Sequence, residues 1–532
     1  MPLRPSGLQV VARDAPVASG TALRRMSRRF SILAKPPHSL TSRTLPILNF
    51  DIFTVVLEFL DLKDLLSAMT TCRTLYKSGI PVLLRNVELH RWRNHIRRFE
   101  FYKRHLLKDP ARFHCVRRLT CCYFALVERD LIGFSRIYRA LPLNFTSLRS
   151  LDLCLEAEAM RGTLCTWVLS LKHLRELRLR KLGPYTKSQM AFIKSISGRL
   201  DLFHISTTSL TSSKLISPLQ LLSDGSHSIR SLAWEHTRMK GGPAILPDVD
   251  TVVFPNVYEL TWSSSRWVTA CVLISKFPSV RRLHIGHPEL ELTDYVARHR
   301  LQSDFLLALR IANRESQSCC RRQWQSLDVL RGCAVTLWTL GLRCRVARLE
   351  TTLWRESDKP GHVLAVMYDT WPAHLDLSII PCFAAHLAQI LSFPSLRSVK
   401  LTFFDALVKE NVEILQFLRD TLPTVCRPQV RQLTIAITAS WFMSVSGSWL
   451  QGSAEDAAVA ASRSLPARWR TYIPAIREAF PLLEELNVDI RGCRPFVWKR
   501  ESGVGMAKEG VMDVSETMDN YHGPPLCKCL SA

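Results

Sequence analysis

The stretches FPNVYELTW, residues 254–262, and FPSVRRLHI, residues 277–285, share one plan. A Phe-Pro pair leads to an apolar residue, two variable residues, a second apolar residue, one variable residue and a third apolar residue. Proline lacks an N–H and has a fixed φ, so it ends a preceding helix and starts extended chain. The first apolar residue anchors the turn, and the last two, two positions apart, share one side of a short strand. The chain has four Phe-Pro pairs, starting at Phe254, Phe277, Phe393 and Phe480, and in each the Pro lies two residues before such a triple. Composition alone would place roughly one Phe-Pro pair anywhere in the chain, so pair and triple together are a repeated structural joint.

The triple recurs on both sides of these two copies. It occurs as Val116/Leu119/Cys121, Leu148/Leu151/Leu153, Leu174/Leu177/Leu179 and Ile229/Leu232/Trp234, then as Val257/Leu260/Trp262 and Val280/Leu283/Ile285. Late copies are Leu396/Val399/Leu401, Val430/Leu433/Ile435 and Leu483/Leu486/Val488. Leu148 to Leu174 is 26 residues and Val257 to Val280 is 23, while the late intervals widen to 34 and 53. The pattern resembles the leucine-rich repeat, whose period is about 20–29 residues. The resemblance implies an α/β solenoid, with short strands on a concave side and helices on a convex side. The Asn or Cys that usually follows such a strand is mostly absent, so the expected array over 116–495 is irregular. Loop insertions are expected near 310–325, 354–372 and 440–466, and the repeat is weakest between 310 and 390. Trp234, Trp262 and Trp338 are read as core positions in preference to a ligand groove.

A different period governs LNFDIFTVVLEFL, residues 48–60. Ile52, Phe53, Val56, Leu57, Phe59 and Leu60 fall at helical spacing between polar Asn49, Asp51, Thr54 and Glu58. Asp61 is placed to cap a second short helix through Asp64, Leu65 and Leu66. A third segment carries Met69, Cys72, Leu75 and Tyr76, and Gly79-Ile80-Pro81 is expected to stop it. Three short helices bury little surface alone, so this module needs a partner or a neighbouring domain. Leu48, Asp51, Ile52, Phe53, Val56, Leu57, Phe59 and Leu60, then Asp64-Leu65-Leu66, Cys72-Arg73 and Tyr76, resemble the F-box, in particular that of fungal F-box-like proteins. Asn49 departs from the usual Pro; a Leu-Pro pair stands three residues earlier, at Leu45-Pro46.

The resulting organisation is a basic tail at 1–44, an F-box-like module at 45–84 and a basic helical connector at 85–115. The solenoid follows at 116–495, with a flexible C-terminal tail at 496–532. The 532 residues are 47% hydrophobic, and the formal net charge is +25. Residues 85–118 hold eleven basic residues against Glu88, Glu100 and Asp109, and the tail 1–44 holds eight against Asp14. That tail has two Arg-Arg-x-Ser strings, ending at Ser27 and Ser31, of the kind basophilic kinases accept. Its composition also fits a mitochondrial transit peptide, a minor alternative to a cytoplasmic or nuclear location. Cys529 stands four from the end, formally as in a prenylation box, with Cys527 as a second acylation position; a frayed tail is the reading adopted. No run reaches the roughly 18 apolar residues of a membrane span. The 16 Cys are read as free thiols of a reducing compartment.

No Gly-rich phosphate loop, nucleophile elbow or His-Glu-x-x-His helix occurs, so no enzyme, cofactor or metal is expected. Cys382-x-x-x-His386 and His284-x-x-His287 are each at most half a metal site. The F-box resemblance implies an adaptor of a Skp–cullin–F-box ubiquitin ligase. Leu48, Ile52, Phe53, Val56, Leu57, Leu60, Leu65, Leu66, Cys72 and Tyr76 would then dock the Skp-family linker. The solenoid would hold a protein target, acidic or phosphorylated by the chain's charge. Two alternatives stay open: a non-ligase interaction protein whose helices only cap the solenoid, and a nucleic-acid-associated protein using the basic stretch 85–118. No recognisable nucleic-acid motif accompanies that charge.

Overall fold

A computed structural model of the chain describes residues 50–89, 105–106, 109–122, 145–154, 162–182, 187–207, 219, 222–236, 252–263, 269–286, 303–320, 322–353, 359–379, 386–404, 429–438, 476–490 and 496–500. Leu48, the basic tail, the insertion near 440–466 and the terminal cysteines lie outside the described residues. The chain divides into two compact units, residues 1–79 and 80–532.

The first unit contains α1 (Phe50–Phe59) and α2 (Leu62–Thr71), with α3 (Arg73–Leu83) starting in it. Asp61 caps α2: its carboxylate accepts the Asp64 N–H at 2.8 Å, satisfying one of the four open donors of a first turn. Leu57, Leu65 and Met69 are buried. Gly79 does not stop the third helix. It lets the helix pass close to Met69, because a Cβ at 79 would stand 2.4 Å from Met69 Cγ. The helix also runs through Pro81, which forfeits only its own N–H bond, and the ladder resumes with Leu84 N–H to Ile80 O at 2.9 Å.

The second unit is an α/β, solenoid-like open sheet of fifteen strands in strict chain order. They are β1 (Asn86–Leu89), β2 (Arg118–Cys122), β3 (Ser150–Cys154), β4 (Glu176–Leu182) and β5 (Leu202–Thr207). Next come β6 (Ser231–His236), β7 (Glu259–Ser263), β8 (Arg282–Gly286), β9 (Ser326–Cys333) and β10 (Arg345–Leu353). The last are β11 (His374–Ile379), β12 (Ser398–Phe404), β13 (Gln432–Thr438), β14 (Glu485–Ile490) and β15 (Phe496–Lys499). Every neighbouring pair from β1 to β14 is parallel, and β15 returns antiparallel on β14. The sheet therefore takes in Asn86–Leu89 from the stretch read as a connector, and Phe496–Lys499 from the stretch read as a tail.

In all nine predicted triples the last two members lie on a strand and the first lies two residues before it, and all the members are buried. The Phe-Pro joint works as its chemistry requires. The helix Ala270–Lys276 closes with Phe277 N–H on Leu273 O at 2.9 Å, the chain turns with Val280 N–H on Phe277 O at 3.4 Å, and β8 begins. Phe254, Phe277, Phe393 and Phe480 are all buried at these turns, and Phe254 stacks on Phe277 at 5.3 Å. Register identifies five more copies: Leu84/Val87/Leu89, Leu200/Phe203/Ile205, Leu327/Leu330/Gly332, Val346/Leu349/Thr351 and Pro372/Leu375/Leu377. The sheet is continuous across 310–390, where the repeat was weakest. Gly332 stands in an apolar slot because a Cβ there would meet the Ile285 carbonyl oxygen at 2.6 Å and Leu337 Cδ2 at 2.9 Å.

The described helices of this unit are α4 (Gly162–Ser170), α5 (Lys187–Ser197), α6 (Ala270–Lys276), α7 (Ser303–Cys319), α8 (Ala334–Leu340), α9 (Pro360–Thr370) and α10 (Leu387–Leu391). Helices α7 and α9 correct the expectation of loops near 310–325 and 354–372. The buried side of α7 is Leu306, Leu309, Arg310, Asn313 and Gln317, a helical spacing carried partly by polar residues. Those polar groups satisfy the ends of other helices. Asn313 Oδ1 accepts the Ala270 N–H of α6 at 3.1 Å, and Asn313 Nδ2 donates to Thr339 O of α8 at 2.8 Å. Gln317 Nε2 donates to Gly341 O at 3.0 Å, where Gly341 ends α8 at φ +61°. Cys320 is another correction. The end of α7 lies beside α6 with Cys320 and Cys271 Cα atoms 6.2 Å apart, within disulfide reach, and the two are bonded.

Candidate functional site

In the first unit the predicted docking residues separate into two sets. Ile52, Phe53, Val56, Leu66 and Tyr76 are exposed, as are Val55, Phe59 and Leu62, and Phe59 shows 84% of its surface. Cys72 is an exposed free thiol and Leu60 is half-buried. Leu57 and Leu65 are buried, at 2% and 4% exposure, and hold the helices in place. Phe59 and Leu62 were missing from the predicted docking residues. The signal was available: Phe59 lies three residues after Val56 and seven after Ile52, on one helical face. Exposed apolar side chains at this density on some thirty residues mark an interaction surface, because scattered single residues are the norm on a solvated face.

In the second unit, apolar positions of each triple face inward, so the residues between them line the opposite side of the sheet. Their charges are matched strand to strand. Arg180 pairs with the buried Asp152, Glu176 accepts from Ser150 Oγ at 2.9 Å and faces Arg118 at 3.7 Å, and Lys400 pairs with Asp376 at 3.2 Å. His204 Nε2 lies 3.2 Å from Glu235. Burial pushes the Glu235 carboxyl up, but His204, His284 and Arg180 outweigh it and hold it below the ordinary carboxylate range. Burial pushes the His284 imidazole down to about 4, aided by Arg331 and opposed by Glu235. The face is a mesh of compensated pairs with no large excess of either sign.

Trp234 and Trp262 are buried and stacked at 6.5 Å, as core residues. Trp338 lies on α8, stacked on His362 at 4.5 Å and under the Arg310 guanidinium at 5.1 Å. A cavity of about 210 Å³ is lined by Arg314, Gln317, Trp324, Arg343 and Cys344. It is smaller than the roughly 300–1,000 Å³ of ligand pockets. Burial pushes the Cys344 thiol up to about 12, and raises Cys121 as well, so both stay protonated at neutral pH. Among the described residues no cluster of His, Cys, Asp or Glu has the arrangement of a metal site, and no helix is long and apolar enough to cross a membrane. His287 and Cys382, each one end of a half-site in the sequence, lie outside the described residues. No protein-family model matches this chain, and no curated protein matches it.

Proposed function

We propose that this chain is a target-binding adaptor of a Skp–cullin–F-box ubiquitin ligase, in which the helices α1–α3 form an F-box and the sheet unit is a degenerate leucine-rich-repeat array. The carrying observation is the exposed apolar patch of Ile52, Phe53, Val56, Phe59, Leu62 and Leu66 around buried Leu57 and Leu65. Such a surface fits a helical partner that covers it, here a Skp-family linker. The array reading draws on fourteen in-order parallel strands, each with an anchoring residue three positions before the first of its two inward-facing residues. The chemistry belongs to the partner complex. The adaptor raises the effective concentration of a bound target near the ubiquitin-transferring enzyme and contributes no reacting group.

The test is capture of a purified Skp-family linker by the full chain carrying Phe59→Asp or Leu66→Asp. Both side chains are exposed, so helix content and the melting transition should stay unchanged while capture is lost. Leu65→Asp is unsuited to this purpose, because it would place a carboxylate in a buried site and unfold the module. Undiminished capture by both exposed variants, or no capture by the unmodified chain, overturns the adaptor reading and leaves the helices as a cap of the array.

A further inference from the structure

The net charge of +25 is not on the strand face between the apolar positions, where cations and carboxylates are paired. One position earlier, arginine recurs on consecutive strands. The residue after each triple's first apolar member joins the same residue of the next strand through a backbone N–H to C=O bond. Arg117 N bonds to Arg85 O, Arg149 N to Arg117 O and Arg175 N to Arg149 O, at 2.9, 2.8 and 2.8 Å. The four consecutive positions at the start of the sheet are thus all arginine. Their backbones are locked one strand apart, about 4.8 Å, so the row spans about 14 Å. Arg117, Arg149 and Arg175 are exposed. Among the described residues no carboxylate forms an ion pair with these three, although Arg175 Nη1 donates to the Arg199 carbonyl at 3.4 Å and Asp201 is the next position of the row; Glu176 is engaged by Ser150 and Arg118, and Asp152 by Arg180.

We propose that Arg117, Arg149 and Arg175 of this row form the docking site for an acidic peptide segment, with its Glu and Asp side chains running along the row. This deepens the adaptor reading and rests on it for one point only, that the segment belongs to a target protein. Each arginine is a planar fork that matches one carboxylate with two hydrogen bonds. The ladder holds these three forks on separate strands, one carboxylate each, and does not converge them on a single point as a phosphate dianion would require. An extended peptide rises about 3.3 Å per residue, so three or four residues cover the roughly 10 Å from Arg117 to Arg175. Single-stranded nucleic acid needs aromatic platforms between its cations. The row interleaves none: positions 85, 117, 149 and 175 are all arginine, and the aromatic in the same position, Tyr258, lies three strands further on and donates to Asp328 at 2.6 Å.

The experiment is fluorescence anisotropy of a labelled octaglutamate peptide with the full chain at physiological salt. The variants are Arg117→Gln/Arg149→Gln and, as a control removing equal charge elsewhere, Arg345→Gln/Arg348→Gln. The row variant should bind about tenfold more weakly, the sum of two partly exposed bidentate contacts, and the control within about twofold of the unmodified chain. Equal loss in both variants means diffuse attraction to a basic protein and overturns the proposal. So does absence of binding, or tighter row-dependent binding of an eight-nucleotide RNA or of anionic vesicles. Linker capture should be untouched by the row variant, and octaglutamate binding by Phe59→Asp. Failure of one reading is therefore distinguishable from failure of the other.

Discussion

Asp369→Asn should weaken the helical layer around α7 by about 2–3 kcal/mol. Asp369, at the end of α9, accepts from both Arg310 and Arg314 of α7. Its side chain is 14% exposed and that of Arg310 only 7%, so the Arg310 pair is nearly desolvated. Burial depresses the Arg310 pKa first, Asp369 opposes that, and Arg314 and Arg343 depress it further. Removing one partner of a buried ion pair costs roughly 3–5 kcal/mol, because the remaining charge stays buried without compensation. Two things lower that here. Arg314 is 28% exposed and is partly screened by solvent, and Arg310 keeps its bond to the Trp338 carbonyl and its place over the Trp338 ring. In a repeat array neighbouring elements open locally, so the measurement is native-state hydrogen exchange over Ser303–Thr370 in place of a global melt. Adding Arg310→Met to Asp369→Asn removes the orphaned charge and should recover about 1 kcal/mol or more. A single-variant loss under about 0.5 kcal/mol would refute a buried pair as the clamp between α7 and α9. So would a double variant weaker than Asp369→Asn alone.

Gly332→Ala should destabilise the sheet by about 1–3 kcal/mol, since its Cβ meets backbone at Ile285 and the buried Leu337; urea denaturation checks it. Gly79→Ala crowds buried Met69 in the first unit and should cost about 1–3 kcal/mol there, read by exchange of α2 amides, with Gly79→Ala/Met69→Ala recovering part of it. Phe480→Ala removes a fully buried ring at the last Phe-Pro joint and should cost about 3–5 kcal/mol, seen as early opening of β14 and β15. His284 titrates near 6.5 unfolded and near 4 folded, so between those values the unfolded chain holds the extra proton. Stability should therefore fall as pH drops from 6.5 toward 4, by at most about 3 kcal/mol from this group. His284→Asn should flatten that slope in denaturation at pH 7 and pH 5; an unchanged slope would mean that His284 is accessible to protons in the folded chain.

The sheet was legible in the sequence at nine copies with an apolar residue in all three buried slots, as in Val257/Leu260/Trp262, while two equally apolar copies, Leu84/Val87/Leu89 and Leu200/Phe203/Ile205, emerged only from the register. It was illegible where tertiary contacts substitute for a side chain. Gly332 is demanded by the Ile285 backbone, Thr351 sits buried beside it in register, and Pro372 begins the next copy. Apolar periodicity also failed for α7, whose buried side is built from Arg310, Asn313 and Gln317 because it must satisfy the ends of α6 and α8. A long spacing between triples, here Val280 to Leu327, is the same for a loop and for an inserted helix. In the first unit, helical spacing marked the apolar residues correctly but not which of them face inward. Leu57 and Leu65 differ from Val56 and Leu66 only by one position, and that is 100° of helix.

Every inward position of a triple is committed to the core, and the residues between them are committed to strand-to-strand pairs such as Lys400–Asp376. At the position after the first apolar residue the backbone carries the ladder bond, and the side chain is engaged only in some copies, as in Tyr258–Asp328, Arg281–Ser326 and Arg431–Glu484. Its side chain can change without loss of fold, and the chain uses that freedom unevenly. It is Arg in four consecutive copies, but Asp328, Ala347 and Ala373 in the three from β9 to β11. A merely solubilising charge would have no reason to be contiguous, since like charges one strand apart repel. That repulsion lowers stability in the free protein and is relieved when anions dock along the row. Arg149→Gln alone should then stabilise the unliganded sheet slightly, by about 0.2–0.5 kcal/mol at low salt, while weakening octaglutamate binding. A stability loss on removing Arg149 would mean that its side chain is held by a structural contact, and the row would lose its claim to be a vacant docking surface.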